Sequence, residues 1–386
     1  MIASEWKKQS LGEFITLEYG KPLDKEDRKD DGLYPAYGAN GIKARSDKYY
    51  SDTESIIVGR KGSAGELTKT EAKFWPLDVT YFVKFDALEY DLTFIYHLLS
   101  QLNLPDLATG VKPGINRNRV YEIQVKTPSL PEQQRIVAIL DQAFADIENA
   151  RANAEQNLKN ARELFDSYLQ QVFSQRGERW VDSTLGEIAQ VKGGKRVPKG
   201  YKFEDSETPY AYISVKDFND AGGVDINKIK YISEEVRKQI SRYIITADDL
   251  YISIAGTIGK TGIVPEALSG ANLTENACKL VFNEGFSNKF IYYFTKTASF
   301  HEQALANTRT AAQPKLALER LKSIRLATPP LQDQLTLVNS LNSISERSRA
   351  VEVIYLKKVK ALDELKKSLL QKAFSGELTK SKGIAA

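Results

Sequence analysis

Two stretches of the chain carry an apolar stripe at steps of three and four. Between Glu132 and about Phe173 there is no glycine or proline. Apolar or small residues recur there at Ile136, Leu140, Ala143, Ile147, Ala150, Ala154, Leu158, Ala161, Phe165, Tyr168 and Val172. That spacing predicts one long helix with a coiled-coil seam. A second seam reads Leu337, Leu341, Ile344, Val351, Tyr355, Val359, Leu362, Leu369 and Ala373, with Ser348 and Lys366 as polar breaks. Pro131 and Pro329-Pro330 stand just upstream, where proline is tolerated at a helix start. At about 1.5 Å per residue, some forty residues make a rod on the order of 60 Å long. A domain of about 130 residues is roughly 30 Å across, so each rod outruns its own domain. The expectation is therefore that the two helices pair with each other, antiparallel.

The remaining stretches, 1–130 and 177–328, alternate short patterns of both periods. Strand-like runs fall at Ser55–Val58, Thr80–Phe85, Tyr210–Val215 and Asp249–Ile254. Helical runs fall at Leu92–Gln101 and Asn288–Gln303. Gly, Asp and Asn punctuate them, which predicts α+β domains with variable loops.

The two halves repeat each other. Trp6, Leu11, Gly12 and Glu13 share their spacing with Trp180, Leu185, Gly186 and Glu187. Gly62-Ser-Ala-Gly65 after Ile56-Ile57-Val58 matches Gly256-Thr-Ile-Gly259 after Leu250-Tyr251-Ile252. Phe94-Ile95-Tyr96 matches Phe290-Ile291-Tyr292. Pro128-Ser-Leu130-Pro-Glu132-Gln133 aligns with Pro329-Pro-Leu331-Gln-Asp333-Gln334 at an offset of 201, which also carries Leu140 onto Leu341 and Phe173-Ser174 onto Phe374-Ser375. Between these blocks the halves differ freely, as expected of one fold used twice with different surfaces. The predicted organisation is 1–130, a first domain; 131–176, a long helix; 177–328, a second domain; 329–376, a second long helix; and 377–386, a tail.

Composition adds limits. The 386 residues are 42% hydrophobic and 27% charged, enough apolar material for two cores. No run of about eighteen apolar residues suggests a membrane span, and the N-terminus has no apolar signal segment. The one cysteine, Cys278, lies in the apolar run NACKLVF and reads as a core residue. Together these point to the cytoplasm. The net charge is +4, divided as −1 over 1–130, −2 over 131–176, +3 over 177–330 and +4 over 331–386. No segment is a basic arm, so nucleic-acid binding would have to come from a few cations on folded surfaces.

Catalytic patterns are missing. Gly256-Thr-Ile-Gly259-Lys260-Thr261 lacks the first glycine of a phosphate-cradling loop, since Ile254 stands there. Its partial recurrence at Gly62–Gly65 favours a structural turn. Thr328-Pro329-Pro330-Leu331 lacks the flanking residues of an amino-methyltransferase element. His97 and His301 have no His or Cys at metal-ligand spacing, and there is no GxSxG or HExxH. No metal site or cofactor is expected on this chain.

These residues resemble the specificity (S) subunit of type I restriction–modification systems over essentially the whole chain. The resemblance rests on the Trp-x4-Leu-Gly-Glu openings, the Pro-x-Leu-x-[Glu/Asp]-Gln lead-ins, the two long helices and the ending Ala373-Phe-Ser-Gly-Glu-Leu-Thr379. It implies α+β architecture with two tandem α/β target-recognition domains joined by two antiparallel coiled-coil helices in a pseudo-twofold repeat. Each domain would read half of a split double-stranded DNA site, with the helices as a ruler between them. Two methyltransferase subunits would dock on the helices, and a motor–nuclease (restriction) subunit would join for cleavage. S-adenosylmethionine, ATP and Mg would be bound by those partners, leaving this chain non-catalytic. The departure Leu335-Thr336 for Gln134-Arg135, with the breaks at Ser348 and Lys366, implies unequal docking surfaces.

Arg and Lys suit guanine, and Asn and Gln suit adenine. Candidates for DNA contact are thus Lys43, Arg45, Arg60, Lys61, Lys112, Asn116, Arg117 and Arg119 in the first half. In the second they are Lys192, Lys195, Arg196, Lys216, Lys260, Arg309, Gln313 and Lys315. The seam residues Ile136, Leu140, Ile147, Leu158, Phe165, Leu337, Leu341, Ile344, Val351, Tyr355, Leu362 and Leu369 are candidates for helix pairing and partner docking. The rival reading is a coiled-coil adaptor with protein-binding heads; a third is an unrecognised metal-dependent nuclease.

Overall fold

The computed structural model describes residues 6–306 and 316–379. Two compact units divide the chain, one of residues 1–156 and 356–386, the other of 157–355. Each unit holds one α+β domain and part of each long helix. That division cuts across both long helices.

In the first unit Ile15–Tyr19, Thr80–Phe85, Ile56–Gly59 and Leu67–Lys69 form an antiparallel sheet in that order. A three-stranded sheet runs Gly41–Ser46, Tyr34–Gly38, Trp75–Pro76, its last pair parallel. The second unit repeats the plan. Ala189–Gly193, Ala277–Phe282, Leu250–Ser253 and Thr261–Ile263 form one sheet. Lys230–Tyr231, Ala211–Ile213, Ala271–Leu273 and Ile244–Ile245 form the other, again with one parallel pair. The expected helix over Asn288–Gln303 is two helices, Asn288–Phe294 and Ala298–Ala306. The break has a local cause: Thr295 Oγ1 donates to the Tyr292 carbonyl and Thr297 Oγ1 to that of Phe294, while Thr297 Oγ1 also accepts from Phe300 N. Hydroxyls that satisfy backbone groups in this way compete with the helix ladder.

The repeated motifs are the joints of this plan. The opening strand Lys7–Ser10 pairs antiparallel with Gln124–Thr127, just before the first long helix, and Val181–Thr184 pairs likewise with Arg325–Thr328. Leu11 and Leu185 are fully buried, and their N–H groups donate to Ile123 O and Ile324 O, both at 2.9 Å. Glu13 accepts from Ser10 N at 2.9 Å and Glu187 from Thr184 N at 2.6 Å, closing a capping box in each copy. Between them glycine is required by space. A Cβ on Gly12 would meet Tyr121 Cβ at 2.8 Å, and one on Gly186 would meet Lys322 Cβ at 2.9 Å.

The glutamine of each lead-in is a buried hook. Gln133 Nε2 donates to Pro128 O (2.9 Å) and Glu89 O (3.1 Å), and its Oε1 accepts from Asp91 N (2.9 Å). Gln334 does the same with Pro329 O (2.9 Å), Gly285 O (3.1 Å) and Ser287 N (2.9 Å). One amide therefore fastens the start of each long helix to its domain.

The long helices, Leu130–Ser174 and Leu331–Ser375, are 45 residues each. Within the first unit Glu148 pairs with Lys366 at 2.8 Å and Arg151 with Asp363. Within the second, Arg162 pairs with Glu352 at 2.9 Å. Higher numbers on one helix meet lower numbers on the other, so they run antiparallel. Ile136, Leu140, Ile147 and Leu341 are buried; Leu158, Phe165, Leu337, Ile344, Tyr355, Leu362 and Leu369 are half-buried.

Val351 is a correction to the expected seam, being 37% exposed. The inward places around it are held by polar residues. Ser348, read as a break, is buried and its Oγ donates to Ala161 O at 2.6 Å. The facing alanine leaves that carbonyl within reach. Lys366, the other supposed break, lies over the Phe144 ring at 5.0 Å while paired to Glu148.

Replacing Gln133 or Gln334 by Ala leaves a buried N–H and two carbonyls without a partner. Each change is expected to lower stability by about 1–3 kcal/mol, seen as a lower urea midpoint; an unchanged midpoint would remove the hook from the account.

Candidate nucleic-acid interface

In the first unit the candidate cations gather at one end of the four-stranded sheet. Strand Ile56–Gly59 leads into Arg60, Lys61 and the turn Gly62–Gly65. Gly62 and Gly65 have φ of +82° and +85°, a conformation that favours glycine. A Cβ on Gly65 would also lie 2.4 Å from Pro105 N. Arg60 and Arg117 lie over the same Tyr19 ring, at 5.3 and 4.9 Å from its centroid. Arg60 Nη2 donates to Asp78 O (2.8 Å), and Arg117 Nη1 donates to Leu17 O (3.3 Å). Tyr19, 44% exposed, carried no signal in the sequence beyond being an aromatic residue at a strand end. Lys61, Lys112 and Arg119 are exposed. Asn116, also exposed, caps the short helix Arg117–Tyr121 by accepting from Asn118 N.

The other two candidates of this half lie on the three-stranded sheet. Lys43 is exposed there. Arg45 is occupied, its Nε donating to Gly32 O (2.6 Å) and its Nη2 to Leu33 O (2.9 Å).

In the second unit two candidates are spent on ion pairs. Arg196 is paired to Glu275 at 2.6 Å, and Lys260 to Asp220 at 2.8 Å. The Lys260 ammonium holds the Asp220 carboxyl below the usual carboxylate range. Gly256 and Gly259, at φ +78° and +87°, turn between strands Leu250–Ser253 and Thr261–Ile263. That is a hairpin, not the strand-to-helix turn that cradles phosphates. Lys192, Lys195 and Lys216 are exposed, Lys195 standing 5.9 Å from the Tyr243 ring. Arg309, Gln313 and Lys315 lie outside the described residues.

Cys278 and His97 are each buried in their own unit. Burial pushes the Cys278 thiol up to about 12. His97 is buried, 3.3 Å from Asp141, and burial lowers its pKa. Among the described residues no three His, Cys, Asp or Glu side chains gather as a metal-ion donor set, and no helix is long and apolar enough to cross a membrane.

Residues 3–156 and 177–354 match the type I restriction modification DNA specificity domain. The chain belongs to that family. It carries the domain twice, once in each unit, and is a specificity subunit of the type I restriction–modification kind. Over 90% of its length it is 24% identical to a putative type I restriction enzyme specificity subunit of Haemophilus influenzae, covering 89% of that protein. It is 23% identical over 98% of its length to the EcoBI specificity subunit of Escherichia coli, covering 87% of it. The fold is similar to that of the HsdS subunit from Thermoanaerobacter tengcongensis, with a TM-score of 0.64, 17% identity and coverage of 97% and 98% of the two chains. A chain from a structure on complex assembly and conformational transition of the type I R-M system gives a TM-score of 0.78 at 16% identity, covering 97% and 99%.

For this specificity subunit the division between tied and outward cations matters more than their number. Ile136, Leu140, Ile147 and Leu341 are buried within their own units, so as seam residues they are withdrawn from any partner. Val351, outside the seam, is not. Arg45→Ala is expected to lower stability by about 1–3 kcal/mol through the loss of two charge-assisted bonds, leaving the salt dependence of DNA binding unaltered. Lys61→Ala is expected to leave the melting temperature unchanged and reduce the log–log salt slope by about one. Thermal unfolding and binding titrations over a salt series check both; the reverse pattern would contradict this division.

Proposed function

We propose that the two domains read the two halves of one split double-stranded DNA site, with the paired helices setting the unspecified gap. The carrying observation is that the joints repeat while the surfaces do not. The Gln133 and Gln334 hooks, the Gly12 and Gly186 packing points and the two capping boxes recur at corresponding positions. Around them Lys61 is exposed beside the first glycine turn, whereas Lys260 beside the second is paired to Asp220. A constant frame lets each surface diverge in the bases it reads without disturbing the other. Two such readers on one chain would meet two half-sites as a dimer does.

The chemistry belongs to partners in this reading. Two methyltransferase subunits dock on the outward faces of the long helices and methylate adenine with S-adenosylmethionine. Restriction subunits, bringing ATP and Mg, join for cleavage. The chain itself selects the address and holds none of those cofactors, and the complex works in the cytoplasm.

Co-expression with the cognate methyltransferase, followed by long-read mapping of methylated adenines, is expected to give a motif of two short specified blocks around unspecified positions. One continuous motif would overturn the proposal.

A further inference from the structure

The first unit carries a feature that the frame does not need. Residues 109–114, Thr-Gly-Val-Lys-Pro-Gly, form a tight hairpin in which Thr109 and Gly114 exchange both backbone bonds, at 3.0 and 3.1 Å. Gly110 supplies the left-handed φ of +94° that the bend requires. The hairpin is fastened at its base. Gly62 N donates to Pro113 O (3.1 Å) and Ile115 N to Arg60 O (3.0 Å), while Arg60 N and Lys61 N both donate to Val79 O (2.9 and 3.2 Å). Two of these bonds close the loop on itself, two tie it to Arg60 and Gly62, and two tie Arg60 and Lys61 to Val79.

At the tip the Val111 side chain is fully exposed, with exposed Lys112 beside it. Lys61 is exposed at the base and bridges to Gly114. Behind it stand Arg60 and Arg117 over Tyr19. Arg60 Nε is buried without a hydrogen-bond partner. On the same segments the acids are Asp106, which accepts from Asn103, Asp78, whose carbonyl binds Arg60, Glu66 after the glycine turn and Glu122 at the end of the Arg117 helix.

A lone exposed valine is ordinary surface. A valine held out on a rigid, cation-flanked ribbon is a different object. It has already lost the loop entropy that binding would otherwise cost, and the charge around its mount suits a polyanion. The major groove admits elements as wide as a two-stranded ribbon, so a narrow bridged loop can enter it, and the apolar group on offer there is the thymine methyl.

Resting on the proposed split-site reading, we infer that the Thr109–Gly114 hairpin enters the major groove of the first domain's half-site, with Val111 against a thymine methyl and Lys61 and Lys112 at the flanking phosphates. The corresponding stretch of the second copy lies outside the described residues, so the assignment concerns this domain alone.

The test uses the full chain co-expressed with its methyltransferase, comparing Val111→Ala, Val111→Asp and the unsubstituted chain by methylation mapping. Val111→Ala is expected to admit a second base at one position of a single half-site, with about tenfold less discrimination there; the other half-site and the melting temperature stay unchanged. Val111→Asp is expected to reduce methylation of the site at least tenfold. An unchanged motif for Val111→Ala overturns the base contact whatever the aspartate variant does. If the unsubstituted complex gives no split motif, the proposed function fails instead, so the two failures are separable.

Discussion

A helix of 45 residues with an apolar stripe along its length cannot stand alone in water, and covering that stripe organises this chain. Neither long helix lies wholly within one compact unit. Each unit takes part of both, packs them antiparallel and seals them against its own domain. The seam is not purely apolar. Ser348 donates to Ala161 O, Arg162 grips Glu352, and Lys366 reaches Glu148 across Phe144. Exposed ion pairs of this kind add about 0–1 kcal/mol each, so they serve register more than strength. The apolar contacts supply the stability.

The glutamine hooks transmit this arrangement to the domains. Gln133 and Gln334 are buried amides with every strong bond made to backbone groups, which fixes where each helix leaves its domain. Because the hook touches main chain, the side chains of the partnering segments remain free to vary. The same holds at Leu11 and Leu185, bonded to the carbonyls of Ile123 and Ile324. A frame built on backbone contacts tolerates divergence of the surfaces it carries.

Much of this was legible in the chain. The 201-residue offset and the three–four spacing predicted both helices and their antiparallel pairing. The glycine turns were correctly separated from a phosphate loop by one missing glycine. Apolar spacing places Val351 in the seam, but the inward position is the polar Ser348, which bonds to the other helix, and Glu352 pairs there with Arg162. Arg196 and Lys260 looked like free cations because Glu275 and Asp220 stand 79 and 40 residues away, and Arg45 because it bonds to the carbonyls of Gly32 and Leu33. Tyr19 and Val111 gave no signal, since an aromatic at a strand end and a valine among glycines acquire meaning only from the cations that fold around them.

In the proposed function one frame spaces two independent readers. Removing residues 147–153 and 361–367 together deletes one heptad from each helix and takes out the facing pairs Glu148–Lys366 and Arg151–Asp363 as sets. At about 1.5 Å per residue and 3.4 Å per base step, the frame shortens by up to about three base pairs. Methylation mapping of the deletion complex should then show the same two half-site sequences across a shorter gap. The original motif, methylated at its original gap, would contradict the account.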